Sequence, residues 1–232
     1  MPIFSETKAL TFDLFGTILN LGGSLTPFIR EGLNARDVTE ISADDFWEQW
    51  RYRQRIEQYQ DTIMMLGHSG YLETVRLALH YTLRRNGIEA SPQTVEEFMK
   101  GWQCLSPFPE VLPALQKLKD RYSLVVLSNG DPEFLDYLAK DRVKWDFDDV
   151  ISVTSFGAFK PHPAVYRGAA GELGIEVNTC LIVSANSFDI MGARACGYRG
   201  AFVNRYNMPY EDTQYQADVT VNDFSELAEA LQ

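Results

Sequence analysis

The chain has 232 residues, 45% of them hydrophobic, and a net charge of −11. That length suits one large domain, or a core domain carrying an insert. The acidic balance, with a pI near 4.7, argues against nucleic acid and anionic membrane as partners. An anionic small substrate would then need a local cluster of cations, because the overall field repels it. Cys104, Cys180 and Cys196 fall at no metal-ligand spacing and read as reduced thiols of a cytoplasmic protein. The N-terminal stretch MPIFSETKALTF carries no signal-peptide pattern, and no apolar run is long enough to span a bilayer.

In chain order, the first strand is expected at Ala9–Leu14, ending in the acid Asp13. Residues 22–103 then hold no convincing strand and read as helices near 26–35, 43–62, 70–86 and 92–102. Within them, Trp47, Trp50 and Met64–Met65 are expected to be packing or pocket wall. The α/β pattern resumes with a helix at Phe108–Lys119, where Leu112, Leu115 and Leu118 recur at helical spacing, and a strand at Leu124–Ser128. A helix at Pro132–Lys140, a strand at Val150–Val153 and a helix at Pro163–Leu173 follow. A strand at Cys180–Ser184, a helix at Phe188–Cys196, strands at Ala201–Asn204 and Asp218–Val221, and a helix at Phe224–Leu231 complete the chain. Near-continuous apolar strands alternating with helices indicate a parallel sheet covered on both faces, an α/β doubly wound architecture. The domain expectation is a core of residues 1–21 and 104–232, with 22–103 inserted as an all-helical cap.

Ligands of an open parallel sheet bind beyond the carboxyl ends of its strands. The first strand here ends in Asp13-Leu-Phe15-Gly-Thr17, the second in Ser128-Asn129-Gly130 and the fourth in Ser184-Ala-Asn186-Ser-Phe188-Asp189. After the third strand comes Lys160-Pro161-His162-Pro163, with Tyr166 on the following helix. Singly, such residues are turn-formers and caps. Four polar strand ends on one sheet point instead to a site. His80 and His162 have no Ser or Cys partner at a recognisable spacing and receive no role.

The DxFGT start, the SNG strand end, the KPxPxxY segment and VSANxxD resemble the haloacid dehalogenase superfamily. The closer likeness is to its L-2-haloacid dehalogenase (type II) branch, whose W-R-x-K-Q segment is matched by Trp50-Arg-Tyr-Arg-Gln54. The HYTL at His80–Leu83 is similar as well. The resemblance implies a Rossmann-like core with a helical cap. It also implies hydrolytic dehalogenation of short L-2-haloalkanoic acids through an ester on Asp13, with no cofactor and no metal.

Phosphatases of that superfamily carry a second acid two residues after the first, where this chain has Phe15, which cannot shuttle a proton. Halide is a leaving group that needs no proton, so Phe15 suits expulsion of an anion from carbon. By resemblance, Thr17 and Ser128 hold the substrate carboxylate, and Arg51 with Asn129 receives the halide. Arg55 shares a helical face with Arg51 and is the alternative halide group. Lys160 would lower the pKa of Asp13. Asp189 activates the hydrolytic water, assisted by Ser184, Asn186 and Lys160, while Tyr166 positions Lys160 or Asp189. Phe15 and Phe188 wall the pocket. Open alternatives are a haloacetate-preferring enzyme, a Mg²⁺-dependent phosphatase-type hydrolase and a catalytically silent small-acid binder. Relatives are often dimers, so a homodimer is expected.

Overall fold

The structure, a computed structural model, describes residues 4–232. Six strands form a single parallel sheet: β1 (Ala9–Phe12), β2 (Ser123–Ser128), β3 (Asp149–Ser152), β4 (Cys180–Ser184), β5 (Arg199–Val203) and β6 (Val219–Val221). Their spatial order is β3-β2-β1-β4-β5-β6. The order reverses at β1, so the end of β1 faces the crevice where such sheets bind ligands.

Alternate residues of the central strands feed opposite faces, as a period of two requires. Leu124, Val126, Leu181 and Val183 join one apolar cluster, whereas Val125, Leu127, Cys180 and Ile182 join the other. The first face is covered by α5 (Val111–Leu118) and α9 (Phe224–Leu231), the second by α7 (Pro163–Glu172) and α8 (Ser187–Ala195). Both faces are therefore dry, which explains why the strands read as unbroken apolar runs.

Between β1 and β2 lie α1 (Leu21–Asn34), α2 (Ala43–Ile63), α3 (Tyr71–Arg85) and α4 (Pro92–Met99), with a 3₁₀ turn over Lys100–Cys104. Helix α1 begins five residues before its expected start. The Asn20 side chain caps Gly23 N–H, and Pro27, in the second turn of the helix, does not break it. Helix α6 (Pro132–Tyr137) passes into a π-helical turn over Leu138–Val143. Trp50 is fully buried, its indole donating to Val75 O at 2.8 Å. Met64 and Met65, expected as packing or pocket wall, are instead exposed at the end of α2.

The helical block is tied to the sheet by polar contacts as well as by packing. Asp131, after β2, accepts from Tyr71 N at 2.9 Å and Leu72 N at 3.1 Å, so a core carboxylate caps the first turn of α3. His68 Nε2 lies 3.0 Å from Asn129 O, and its ring stacks on Phe159 at 3.9 Å. No described helix is long and apolar enough to cross a membrane.

Candidate active site

β1 stops at Phe12, and the chain turns so that Asp13 enters a cavity at the strand end. The turn returns Thr17 over its own nucleophile candidate. Thr17 Oγ1 donates to Asp13 Oδ2 at 2.7 Å and accepts Ala185 N–H at 2.8 Å. Asn186 Nδ2 donates to the same oxygen at 2.9 Å. Asp13 Oδ1 faces Lys160 Nζ, 3.5 Å away. One carboxylate oxygen is thus held by two donors, and the other is left toward the cavity.

Lys160 also reaches Asp189 Oδ2 at 2.9 Å. Tyr166 donates its hydroxyl to Asp189 Oδ1 at 2.7 Å, which selects Asp189 rather than Lys160 as the residue it positions. This packing depends on Gly192, because a Cβ there would lie 2.9 Å from the Tyr166 hydroxyl and 2.6 Å from Pro161.

Helix α2 supplies the opposite wall. Arg51, Arg55 and Gln58, at i, i+4 and i+7, share the face turned to the cavity. Arg51 donates to Gln54 Oε1 at 2.8 Å and more weakly to Phe15 O at 3.4 Å. Arg55 donates to Asn186 Oδ1 at 2.9 Å. Both arginines therefore reach the site, and neither is a solvated surface charge. The aromatic wall is Phe188 and Phe15, with Tyr71 stacked on Phe15 at 4.1 Å.

One expected role changes in this geometry. The Thr17 hydroxyl is committed to Asp13 and Ala185, so it orients the nucleophile candidate rather than a substrate carboxylate. Ser184 is fully buried and its hydroxyl accepts Asn186 N–H at 3.1 Å, a contact that holds the loop after β4. Asn129, which lines the cavity, accepts Lys160 N–H at 2.9 Å and gives one N–H of its amide to Gln58 Oε1 at 3.2 Å. Ser128 Oγ is buried with no hydrogen-bond partner among the described residues.

Burial pushes the Asp13 carboxyl above the usual carboxylate range, and the Asp189 charge adds to this. Lys160, the Thr17 hydrogen bond and Arg51 pull it back without cancelling the effect. The expected depression of this pKa is thus reversed, because desolvation outweighs the lysine. Burial and neighbouring Arg51 bring Arg55 down to about 10, still charged at neutral pH. Burial and Asp189 keep the Tyr166 phenol protonated, as a donor must be.

A divalent ion does not fit here. The Lys160 ammonium stands between the two carboxylates that would have to chelate it, and Mg²⁺ requires several oxygen ligands around it. The cavity is small, about 20 Å³. Three cations and two carboxylates line it, leaving one positive charge for a monoanion.

Gln58 and Tyr71 were not among the expected site residues. Gln58 had a signal, its i+7 spacing from Arg51 on an otherwise basic face. Tyr71 had none, since only the fold brings α3 over Phe15.

The family model for haloacid dehalogenase-like hydrolases matches residues 7–197. The chain belongs to that family. Its match to the (S)-2-haloacid dehalogenase of Pseudomonas sp. (strain YL) is 30% identical and covers 97% of this chain and 94% of the relative. The haloacetate dehalogenase H-2 of Moraxella sp. (strain B) is 29% identical, over 93% of this chain and 94% of that one. A solved structure, the L-2-haloacid dehalogenase of Xanthobacter autotrophicus with chloropropionic acid covalently bound, superposes with a TM-score of 0.82 at 25% identity. It covers 96% of this chain and 97% of that one. The haloacid dehalogenase family match spans β1 to the end of α8 and so includes every segment that supplies the site.

Proposed function

We propose that this hydrolase removes halide from short (S)-2-haloalkanoic acids, giving the (R)-2-hydroxy acid through an ester on Asp13. The observation that carries this reading is the asymmetry of the Asp13 carboxylate, combined with Phe15 where a proton-donating acid would stand. Oδ2 is held by Thr17 and Asn186, and Oδ1 is the oxygen free to attack.

In the first step Oδ1 bonds to the substrate's second carbon, and the halogen leaves with the electron pair of its own bond. The carbon inverts. No proton is needed, so Phe15 costs the step nothing and helps to desolvate the carboxylate. Ser128 Oγ and neighbouring backbone amides hold the substrate carboxylate. Arg51 receives the halide, because Arg55 is occupied in holding Asn186.

In the second step water adds to the Asp13 acyl carbon and Asp189 takes its proton. Oδ2 is now the ester carbonyl, and the charge that develops on it meets the Thr17 hydroxyl and the Asn186 amide, already in place. Preorganised donors of this kind are worth about 10²–10³ each in rate. The bond from the acyl carbon to Oδ1 then breaks, and Oδ1 leaves as the hydroxyl oxygen of the 2-hydroxy acid with the proton returned by Asp189. The water oxygen stays in the regenerated Asp13 carboxylate. Lys160 offsets the negative charge that passes between the two acids. The same residues therefore first orient a nucleophile and then stabilise an oxyanion.

The helical cap is assigned residues 22–103 and the core 1–21 and 104–232. The exposed run Ile63, Met64, Met65 and Leu66 supports the expectation of a homodimer, testable by light scattering. Free thiols at all three cysteines support a cytoplasmic setting. A second reading, a preference for haloacetates, is supported by the 29% identity to the haloacetate dehalogenase H-2 of Moraxella sp. (strain B).

The test incubates the protein with each enantiomer of 2-chloropropionate in EDTA and measures chloride. Release from the (S) form alone, as (R)-lactate, is expected, with Asp13→Asn inactive. Single turnover in ¹⁸O-water should label Asp13. No halide from any short 2-haloacid would defeat the reading, and release from haloacetates alone would select the second one.

A further inference from the structure

We propose that Tyr71 and Gln58 complete the receptor for the departing halide, so that two neutral donors from the cap, with Arg51, bind the leaving group. This rests on the dehalogenase reading and deepens it.

The direction of the reaction makes the first argument. Displacement at carbon is in line, so the halogen departs from the face opposite Asp13 Oδ1. Asp13 lies at the end of β1, on the core. The leaving group must therefore point at the wall opposite the sheet, which α2 and the start of α3 provide. Polar groups on that wall are placed to meet the halide.

Unmet hydrogen bonds make the second argument. Tyr71 Oη and Gln58 Nε2 are buried, line the cavity, and have no partner among the described residues. Their residues are 1% and 5% exposed. Leaving a buried donor unmade is costly, so such groups call for a ligand. The Tyr71 hydroxyl oxygen lies beside the Arg51 guanidinium and the Gln54 amide, whose N–H groups can only give to that oxygen. The phenol's own O–H meets no acceptor among the described residues. Its O–H is therefore unspent.

Gln58 is oriented by a relay. Lys160 N–H fixes Asn129 Oδ1, which turns Asn129 Nδ2 to Gln58 Oε1, which leaves Gln58 Nε2 for the cavity. Burial holds the Tyr71 phenol protonated, so it donates at every working pH.

Chemistry identifies the ligand as a compact monoanion. Both groups present donors, and the cavity they line is small, about 20 Å³. As the Oδ1–carbon bond forms and the carbon–halogen bond breaks, charge grows on the halogen, and neutral donors stabilise it most when the halide is small and basic. The pair thereby tunes leaving-group preference.

The test uses Tyr71→Phe, which keeps the stack on Phe15, and Gln58→Glu, which keeps an acceptor for Asn129 and removes the donor. Chloride binding to the whole protein is read by ³⁵Cl NMR line broadening. Each variant should weaken chloride about tenfold, the scale of one hydrogen bond to an ion. For turnover, kcat/KM should fall more with chloroacetate than with bromoacetate. Tyr71→Phe should melt no lower than the wild type, which a purely structural hydroxyl would not allow. Unchanged chloride binding in Tyr71→Phe, or no binding by the wild type, would overturn the proposal. Chloride binding that needs both residues, without halide release from any haloacid, would keep the receptor and remove the dehalogenase reading.

Discussion

Lys160 Nζ lies 2.9 Å from Asp189 Oδ2, and the two side chains are 2% and 1% exposed. A buried charge pair of this kind contributes little net stability, but breaking it strands a charge. With Asp13 also at 3.5 Å from the ammonium, removing the lysine strands two. Lys160→Met should therefore cost about 3–5 kcal/mol of stability and abolish halide release. Denaturant titration beside a chloride assay checks both, and Lys160→Met combined with Asp13→Asn should recover part of the lost stability.

Asp13 carries the opposite expectation. Burial holds its carboxyl above the ordinary range, so the folded state resists ionisation more than the unfolded chain does. The associated stability is complete below the ordinary carboxylate range and is lost as pH rises through the higher folded value. Asp13→Asn removes that loss. The inactive variant should melt above the wild type at neutral pH, with the gap closing on acidification. For the same reason the acid limb of kcat/KM should lie above an ordinary aspartate, which a pH–rate profile measures.

Phe15 stands where a phosphatase would place its acid, and it is packed against Tyr71, Trp102 and Phe134. Phe15→Asp should not create a phosphatase, because the ammonium still occupies the cation position. It should lose dehalogenation and destabilise by about 3–5 kcal/mol, as large core truncations do. Phosphate-ester turnover with Mg²⁺ is the measurement that would contradict this.

The two arginines should separate. Arg51→Ala removes a charged donor to the halide and should cut kcat about 10²–10³-fold. Arg55→Leu frees the Asn186 amide from its tether at 2.9 Å and should cost about tenfold, the worth of one such bond to a charged group. Chloride product inhibition distinguishes them, weakening in Arg51→Ala and holding in Arg55→Leu.

Much of this was legible in the sequence for a physical reason. Strands buried on both faces, such as Cys180–Ser184, must be apolar throughout, and so they stand out. Their polar ends carry Asp13, Asn129 and Asn186, which the cavity collects. What the residues alone did not reveal was how each hydroxyl is spent. Thr17 has the right chemistry for a substrate carboxylate, but its proton goes to Asp13 and its oxygen takes Ala185 N–H. Burial of Asp13 was equally hidden, since desolvation belongs to the assembled cavity and not to a motif. Tyr71 lies 56 positions after Phe15 by chain numbering, a pairing that no local period encodes.

The chamber of about 20 Å³ has a kinetic consequence. It has room for a water or two, so admitting a haloacid, and later releasing the hydroxy acid and the halide, is expected to need outward movement of the helices over the strand ends. Between those events the water for hydrolysis must already be inside. Asp131, which grips the start of α3, would then bear on the rate of that opening, and weakening the grip should change throughput without changing the bond-breaking step.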